Sequence, residues 1–174
     1  TQPQNIVIDD LTDPVPALAM LADVTAECTV TMLTPPTATD NCGGTVIVTN
    51  DATLPITAQG TTVVTWTYDD GNGNTVTQPQ NIVIDDNTAP VIVSGCPDPV
   101  VNITTAMNAT TCEATYTLPT FVLDDNCTDP DKIVKYITIT NNFMDILPET
   151  KMIPGTFNFP LGTSTVTYIF EDAS

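Results

Sequence analysis

Acidic and amide side chains are concentrated where the chain is expected to turn. They form five short segments: Asp9-Asp10, Asp40-Asn41, Asp69-Asp70 with Asn72 and Asn74, Asp85-Asp86-Asn87, and Asp124-Asp125-Asn126. Ca²⁺ takes about six to eight oxygen ligands from carboxylates, amides and carbonyls, and such loops can supply all of these. Asp, Asn and Gly also form turns and cap strand ends without any metal. The pattern therefore leaves two hypotheses, a calcium site or plain turns.

The calcium hypothesis is strongest at the junctions between predicted domains. Its candidate ligands are Asp85, Asp86 and Asn87, followed by Asp9, Asp10, Asp69 and Asp70. Neighbouring carboxylates without a positive charge nearby repel one another, and a bound cation would relieve that repulsion. The spacing after Asp69 resembles part of a calcium loop but lacks the glutamate of an EF-hand. Calcium is the one cofactor that the sequence suggests.

Catalysis is not expected. The chain has no His, which excludes a His-dependent nucleophilic triad and removes the usual general base. Two carboxylates facing each other across a sugar would suggest a glycosidase. Here the acids occupy repeated turn positions, and no aromatic-rich cleft is evident. The sequence predicts that the chain is not an enzyme.

The cysteines suggest a disulfide framework. The simplest pairing joins Cys28 to Cys42 and Cys112 to Cys127, which leaves Cys96 over. Disulfides would indicate an oxidising compartment. Buried free thiols are the alternative. A thiolate metal site is disfavoured because neither His nor a close Cys-x-x-Cys spacing is present.

The charge balance excludes some partners. The 174 residues include 21 acidic and three basic side chains, for a net charge of −18. Nucleic acid is excluded as a partner, since phosphate binding requires clustered Lys and Arg. The basic residues are Lys132, Lys135 and Lys151, so residues 1–131 carry no positive side chain. The hydrophobic share of 41% argues against disorder. No apolar run is long enough to predict a membrane span.

The composition predicts an all-β fold. Thr, Val and Ile are abundant, and these β-branched residues fit pleated sheets. In one complete stretch, five alternating segments are predicted as strands: Val15 to Leu21, Cys28 to Leu33, Thr45 to Thr49, Thr62 to Tyr68, and Val76 to Ile84. Val64, Trp66 and Tyr68 share one face of their strand, and we expect this face to point into the core.

An internal repeat organises the chain. The decapeptide TQPQNIVIDD occurs at Thr1 to Asp10 and again, without a mismatch, at Thr77 to Asp86. We therefore expect residues 1–10 to be the last strand of a preceding repeat. Residues 11–86 then form a complete β-sandwich, and residues 87–174 form a second one lacking its final strand.

Further landmarks align the two copies. Asp40-Asn41-Cys42 recurs as Asp125-Asn126-Cys127, and the segment from Gly60 to Asp70 recurs from Gly162 to Asp172. The segment from Lys132 to Pro160 is an insertion in the second copy. It is predicted to be a longer hairpin with its own core contacts, and the alternative is a partner or ligand surface.

The spaced elements resemble the hyalin repeat (HYR) module of extracellular proteins. They are Thr88-Ala89-Pro90-Val91-Ile92 with Cys96-Pro97, Thr39-Asp40-Asn41, the segment from Phe159 to Tyr168, and Tyr68-Asp69-Asp70-Gly71-Asn72-Gly73-Asn74. The resemblance implies tandem immunoglobulin-like, or fibronectin III-like, β-sandwich domains with an adhesive role and no catalysis.

The same resemblance implies an extracellular, cell-surface location. The sequence is similar to repeat arrays in large proteins of gliding bacteria, for which a type IX secretion route is expected. The expected partners are neighbouring repeats of the same polypeptide, and surface glycans or proteins. The function expected is that of a stalk or adhesin array. The alternative is an accessory carbohydrate-binding module of a secreted enzyme.

One departure from the family pattern concerns its cysteines. In the family, a Cys in the Cys-Pro element typically pairs with one in the final strand. The first copy has Met20 or Leu21 near the first position and Gln78 near the second. The second copy has Cys96, whose partner is expected beyond Ser174.

Overall fold

A computed structural model describes residues 2–96, 110–142, 145–151 and 155–172. The predicted all-β class is confirmed, because these residues form β-strands in several sheets and no helix. They include no helix with the length and hydropathy needed to cross a membrane. The chain divides into two compact units, Thr1–Asp86 and Asn87–Ser174.

The first unit contains six strands. They are β1 (Val15–Pro16), β2 (Val24–Ala26), β3 (Ala38–Thr39), β4 (Ile47–Asn50), β5 (Gly60–Asp69) and β6 (Thr75–Ile84). One sheet has the order β2-β6-β5-β4, and β1 pairs with β3 in a second, two-stranded sheet. The β2 strand runs parallel to β6, whereas the other neighbours are antiparallel.

Strands β5 and β6 form the centre of this sheet and pair along their whole length, from Gly60↔Ile84 to Asp69↔Thr75. Pro79 lies inside β6 although proline has no N–H to donate. Its partner is Thr65, whose N–H and C=O both bond to Asp51 on the opposite side. Pro79 therefore does not need to donate a backbone hydrogen bond to β5. Along its other edge, β6 pairs with β2 only from Ile82 onward.

The core of the first unit is built on alternate residues of β5 and β6. Val64 is 1% exposed, and Trp66 and Tyr68 are fully buried, which confirms the predicted inward face. Ile82 and Ile84 are also fully buried. The rest of this cluster is supplied by loop residues: Leu21, Val30, Leu33 and Ile56.

Two strand predictions in this unit are wrong. Only Val15 and Pro16 of the predicted strand from Val15 to Leu21 are paired. The predicted strand from Cys28 to Leu33 is reduced to one isolated bridge between Val30 and Ile56. Leu21, Val30 and Leu33 still pack in the core, whereas Val15, Leu18, Met20 and Met32 are exposed. The nearby prolines lack the N–H groups that a continuous ladder requires.

The second unit contains seven strands in its described residues. They are β7 (Val91–Ser94), β8 (Glu113–Thr117), β9 (Val122–Asp124), β10 (Val134–Asn141), β11 (Asp145–Lys151), β12 (Thr156–Pro160) and β13 (Ser164–Glu171). The sheets have the orders β11-β10-β13, β12-β8 and β7-β9, and all pairs are antiparallel.

Within the insertion, β10 and β11 form a hairpin, and β12 pairs with β8. The predicted longer hairpin is therefore present. Its apolar residues contribute to a core cluster around Leu118, Ile137 and Ile139, which are at most 3% exposed. Tyr116, Leu147, Phe157, Phe159, Val166 and Tyr168 pack against this cluster. Phe143, Met144, Met152 and Ile153 lie outside the described residues.

Gly95 follows β7 and allows a close backbone approach in this unit. Its φ of +90° lies in the left-handed region that side chains rarely adopt. A Cβ at this position would clash with the carbonyl oxygen of Thr120 and lie 3.1 Å from the Cα of Phe121. Only glycine fits here without a backbone shift.

Candidate functional site

The turn between β5 and β6 is organised by the buried carboxylate of Asp70. Its Oδ1 accepts the backbone N–H groups of Asn72, Gly73 and Asn74 at 2.7, 3.1 and 3.1 Å. Its Oδ2 accepts the amide of Asn74 at 2.6 Å. Burial alone would raise the pKa of Asp70, but these hydrogen bonds outweigh it and hold the pKa below its ordinary value.

The same turn contacts the end of the first decapeptide copy. The side-chain amide of Asn74 donates to the carbonyl of Asp10 at 3.3 Å, and that of Asn72 donates to Asp10 Oδ2 at 3.4 Å. The other oxygen, Oδ1, accepts the N–H of Thr12 at 3.0 Å. Asp10 is thus held against the turn that carries Asp70.

The Asp40-Asn41-Cys42 element meets Asp10. Asp10, Asp40 and Cys42 each offer a ligand atom within 4.8 Å of the others. Asp40 Oδ2 accepts the N–H of Cys42 at 2.8 Å. Its other oxygen, Oδ1, is buried and has no hydrogen-bond partner. A hydrogen bond to Asp10, with smaller contributions from desolvation and the charges of Asp10, Asp40 and Asp70, raises the pKa of the Cys42 thiol.

The equivalent element of the second repeat repeats this arrangement. Asp125 Oδ1 accepts the N–H groups of Cys127 and Thr128 at 2.9 and 2.7 Å. Its Oδ2 is buried without a hydrogen-bond partner. Asp125 and Asp172 offer carboxylate oxygens within 4.8 Å of each other. In the repeat register, Asp125 corresponds to Asp40 and Asp172 to Asp70.

The structure places the seven predicted cation ligands in different settings. Asp10 and Asp70 lie near Asp40 and Cys42 in the first unit. Asp9 is exposed, and Asp69 Oδ1 accepts the N–H of Gly71 at 2.8 Å. Asp85 donates its N–H to Ala26 at 3.0 Å, and Asp86 is buried and donates its N–H to Gln59 at 3.2 Å. Asn87 is exposed.

Sequence reasoning placed Asp40 and Asp125 among the acidic turn segments but not among the named candidate ligands. Both are visible in the sequence as the acid of the repeated Asp-Asn-Cys element. Recurrence of the element in both copies was the available signal. The buried, unpartnered oxygen could not be inferred, because it depends on contacts with residues distant in sequence.

The structure does not contain the two predicted disulfide pairs. Cys42 and Cys112 are free and exposed, as is Cys96. Cys28 and Cys127 are disulfide-bonded. The physical reason in the first unit is that the Cys42 thiol is hydrogen-bonded to Asp10 and lies within 4.8 Å of a carboxylate oxygen of Asp40.

Two glutamines of β6 occupy the region where the family pattern has a disulfide. Gln78 accepts the hydroxyl proton of Tyr68 at 2.7 Å and donates to the Leu18 carbonyl at 2.8 Å. Gln80 accepts the indole N–H of Trp66 at 2.9 Å and donates to the Ala22 carbonyl at 2.8 Å. Each amide thus joins a core aromatic of β5 to the segment before β2.

One shallow, open depression is present in the first unit, lined by residues between Asp51 and Val64. Its only ionisable lining residue is Asp51, whose carboxylate accepts the N–H of Thr65 at 2.8 Å. This surface offers no pair of carboxylates for acid–base chemistry.

Comparison with known proteins agrees with the resemblance seen in the sequence. Residues 16–84 match the family described as an HYR-like domain with 4 cysteines. This matched segment contains two cysteines, Cys28 and Cys42. Hyalin from Strongylocentrotus purpuratus is 31% identical over 144 residues, which cover 81% of this chain and 10% of hyalin. No solved structure matches the chain.

These similarities define the class of protein at a coarse level. The chain contains an HYR-like, β-rich domain and resembles an extracellular adhesion-type repeat module. The chain spans about a tenth of the length of the curated relative that it matches. The function of a whole protein of this kind is therefore considered only as a proposal.

Proposed function

We propose that this chain is a spacer segment of an extracellular surface array, in which successive β-sandwich domains project an adhesive region. The observation that carries the proposal is the exact recurrence of TQPQNIVIDD. Its second copy forms the closing strand β6 of the first unit. The same ten-residue sequence thus precedes β1 and ends the first unit, as repeated domains in series require.

The strand order supports an immunoglobulin-like arrangement for the first unit. The parallel pairing of β2 with β6, beside antiparallel β5 and β4, places a short early strand next to the closing strand. A four-stranded sheet accompanied by a two-stranded sheet, with alternating buried residues on β5 and β6, supports a sandwich. We extend the same arrangement to the second unit as a tandem domain.

A bacterial cell surface is our proposed setting, and the charge supports it. Residues 1–131 carry no basic side chain, so neighbouring molecules repel one another and stay soluble at high density. Neighbouring repeats of the polypeptide are the proposed partners within the array, and surface glycans or proteins are the proposed targets. Secretion by the type IX route remains part of this proposal.

The spacer function can be tested by surface display. One, two or three tandem copies of the whole 174-residue chain would be placed between a membrane anchor and an epitope tag. Gly/Ser linkers of equal residue number are the matched controls, because they are flexible coils. We expect binding of antibody-coated beads to increase with copy number and to exceed that of each linker.

Two results would contradict the spacer function. Bead capture equal to that of the Gly/Ser linkers would show that the chain projects nothing. Specific binding of a polysaccharide by the isolated chain on a glycan array would instead support the accessory carbohydrate-binding module.

A further inference from the structure

We propose that Asp40, which has one buried carboxylate oxygen, forms a calcium site together with Asp10, and that Asp125 with Asp172 forms the equivalent site in the second repeat. The inference concerns individual side chains and does not depend on the spacer function. In the first unit the site would connect the end of the first decapeptide copy to the loop after β3 and to the β5–β6 turn.

Proximity is the first observation behind this proposal. The ligand atoms of Asp10, Asp40 and Cys42 lie within 4.8 Å of one another, a spacing at which a single cation can contact all of them. Asp70 adds a further negative charge that acts on the Cys42 thiol. No basic side chain exists in residues 1–131 to neutralise this group.

The second, independent observation is the unsatisfied oxygen. Asp40 Oδ1 is buried, with an accessible area below 1 Å², and no hydrogen bond reaches it. A buried carboxylate oxygen without a donor is strongly unfavourable, and such groups in native structures are usually explained by a bound ion or water. A cation at Asp10 and Asp40 would satisfy this oxygen.

The second repeat repeats the signal at the equivalent residue. Asp125 Oδ2 is also buried without a partner, and a carboxylate oxygen of Asp125 lies within 4.8 Å of one from Asp172. The two aspartates, Asp40 and Asp125, share their sequence element and their backbone turn. An accidental packing defect would not be expected to occur twice at one repeat position.

The donor chemistry selects calcium over softer metals. Carboxylate oxygen is the donor common to the two repeats, since Cys127, the equivalent of Cys42, is disulfide-bonded. The chain has no His, whereas Zn²⁺ sites are built largely from His and Cys. Hard oxygen donors in a loop of adaptable geometry suit Ca²⁺ better than Mg²⁺, which demands a stricter octahedron.

Calcium titration of the whole chain tests the proposal. After EDTA treatment and dialysis, isothermal titration with CaCl₂ should show about two equivalents with a dissociation constant on the order of 10⁻⁴ to 10⁻³ M, the range of extracellular modules. Saturating calcium should raise the melting temperature by roughly 5 °C or more. NaCl at equal ionic strength controls for general screening.

Substitutions assign the sites. Asp40→Asn and Asp125→Asn should each remove one equivalent of calcium. The Asp40→Asn amide can still accept the Cys42 N–H and can donate to Asp10, so melting in EDTA should be unchanged or higher. Asp23→Asn is the matched control, because Asp23 is exposed and bonds only to the Asn81 amide among the contacts described.

Metal selectivity and three failure outcomes complete the test. Cys42→Ser should retain calcium binding. Absence of calcium-dependent heat and stabilisation would overturn the proposal, as would unchanged binding in both Asn variants. Equal stabilisation by Zn²⁺ that Cys42→Ser abolishes would replace calcium with a thiolate site. Should Asp40→Asn fail to fold, Asp125→Asn still decides the question.

Discussion

Two regions of the first unit have the same ten-residue sequence and opposite environments. In the second copy, Ile82 and Ile84 are fully buried within β6. In the first copy, the equivalent residues Ile6 and Ile8 are 82% and 91% exposed, and the segment forms no strand. Local propensity is identical, so it cannot be what makes one copy a strand.

The difference shows that the partner strand determines the structure of this sequence. The second copy follows the Asp70 turn, which returns the chain alongside β5 and permits ten paired positions. Residues 2–10 of the first copy are not paired with any strand in the part of the chain that the structure describes. Strand propensity reflects packing against neighbours as much as any property of the residue itself, and burying an isoleucine side chain contributes about 1.5 to 3 kcal/mol.

Truncating the buried isoleucines should give the largest contrast. Ile84→Ala should lower the free energy of unfolding by about 2 to 5 kcal/mol, because it leaves a cavity in a packed core. Ile8→Ala, the same change in the same local sequence, should alter it by less than about 0.5 kcal/mol. Chemical denaturation followed by Trp66 fluorescence measures both. Similar losses in the two variants would mean that the first copy also packs in solution.

Removing the side-chain amide of Gln78 in β6 should have the next largest effect on the free energy of unfolding. Gln78→Ala leaves the buried Tyr68 hydroxyl and the Leu18 carbonyl without their partner, at a cost of about 1 to 3 kcal/mol. Gln2→Ala, at the equivalent exposed position, should cost nothing measurable.

A double substitution isolates the Tyr68 contact. In a Tyr68→Phe background the hydroxyl no longer needs a partner, so Gln78→Ala should cost less than in the unmodified chain. Equal costs in both backgrounds would show that the Tyr68 bond contributes nothing and that the bond to Leu18 carries the effect.

The turn that positions the second copy should show a pH-dependent contribution. The folded pKa of Asp70 is lowered, so its stabilisation is present above the unfolded pKa and is lost as pH falls through the folded value. Melting of the Asp70→Asn variant should therefore decrease less than that of the unmodified chain between pH 7 and pH ~3. Asp69→Asn, whose amide oxygen can still accept the Gly71 N–H, is the control. An identical acid response of Asp70→Asn and the unmodified chain would contradict this assignment.

Periodicity predicted the fold class and the buried face of β5 because both depend on residues adjacent in sequence. Leu21 and Val30 lie in segments that were predicted to be strands, and both are buried core residues, yet these segments form almost no ladder, since backbone pairing depends on the partner strand. The position of the acidic site could not be predicted for the same reason, because it depends on contacts between residues distant in sequence. The repeated Asp-Asn-Cys element marked Asp40 and Asp125 as special, but only the folded chain brings Asp40 beside Asp10.

Deleting residues 1–8 should have the smallest effect, which is no change in the melting of the first unit. Ile6 and Ile8 contribute no burial there, whereas Asp10 bonds to Asn72 and Asn74, so the deletion must stop before Asp9. The exposed alternating segment also presents unpaired backbone groups that favour association with other chains. The deleted chain should therefore melt as before but remain monomeric to higher concentration in sedimentation experiments. A fall in the melting temperature of more than about 2 °C would show that the first copy packs on its unit, and the contrast with β6 would then fail.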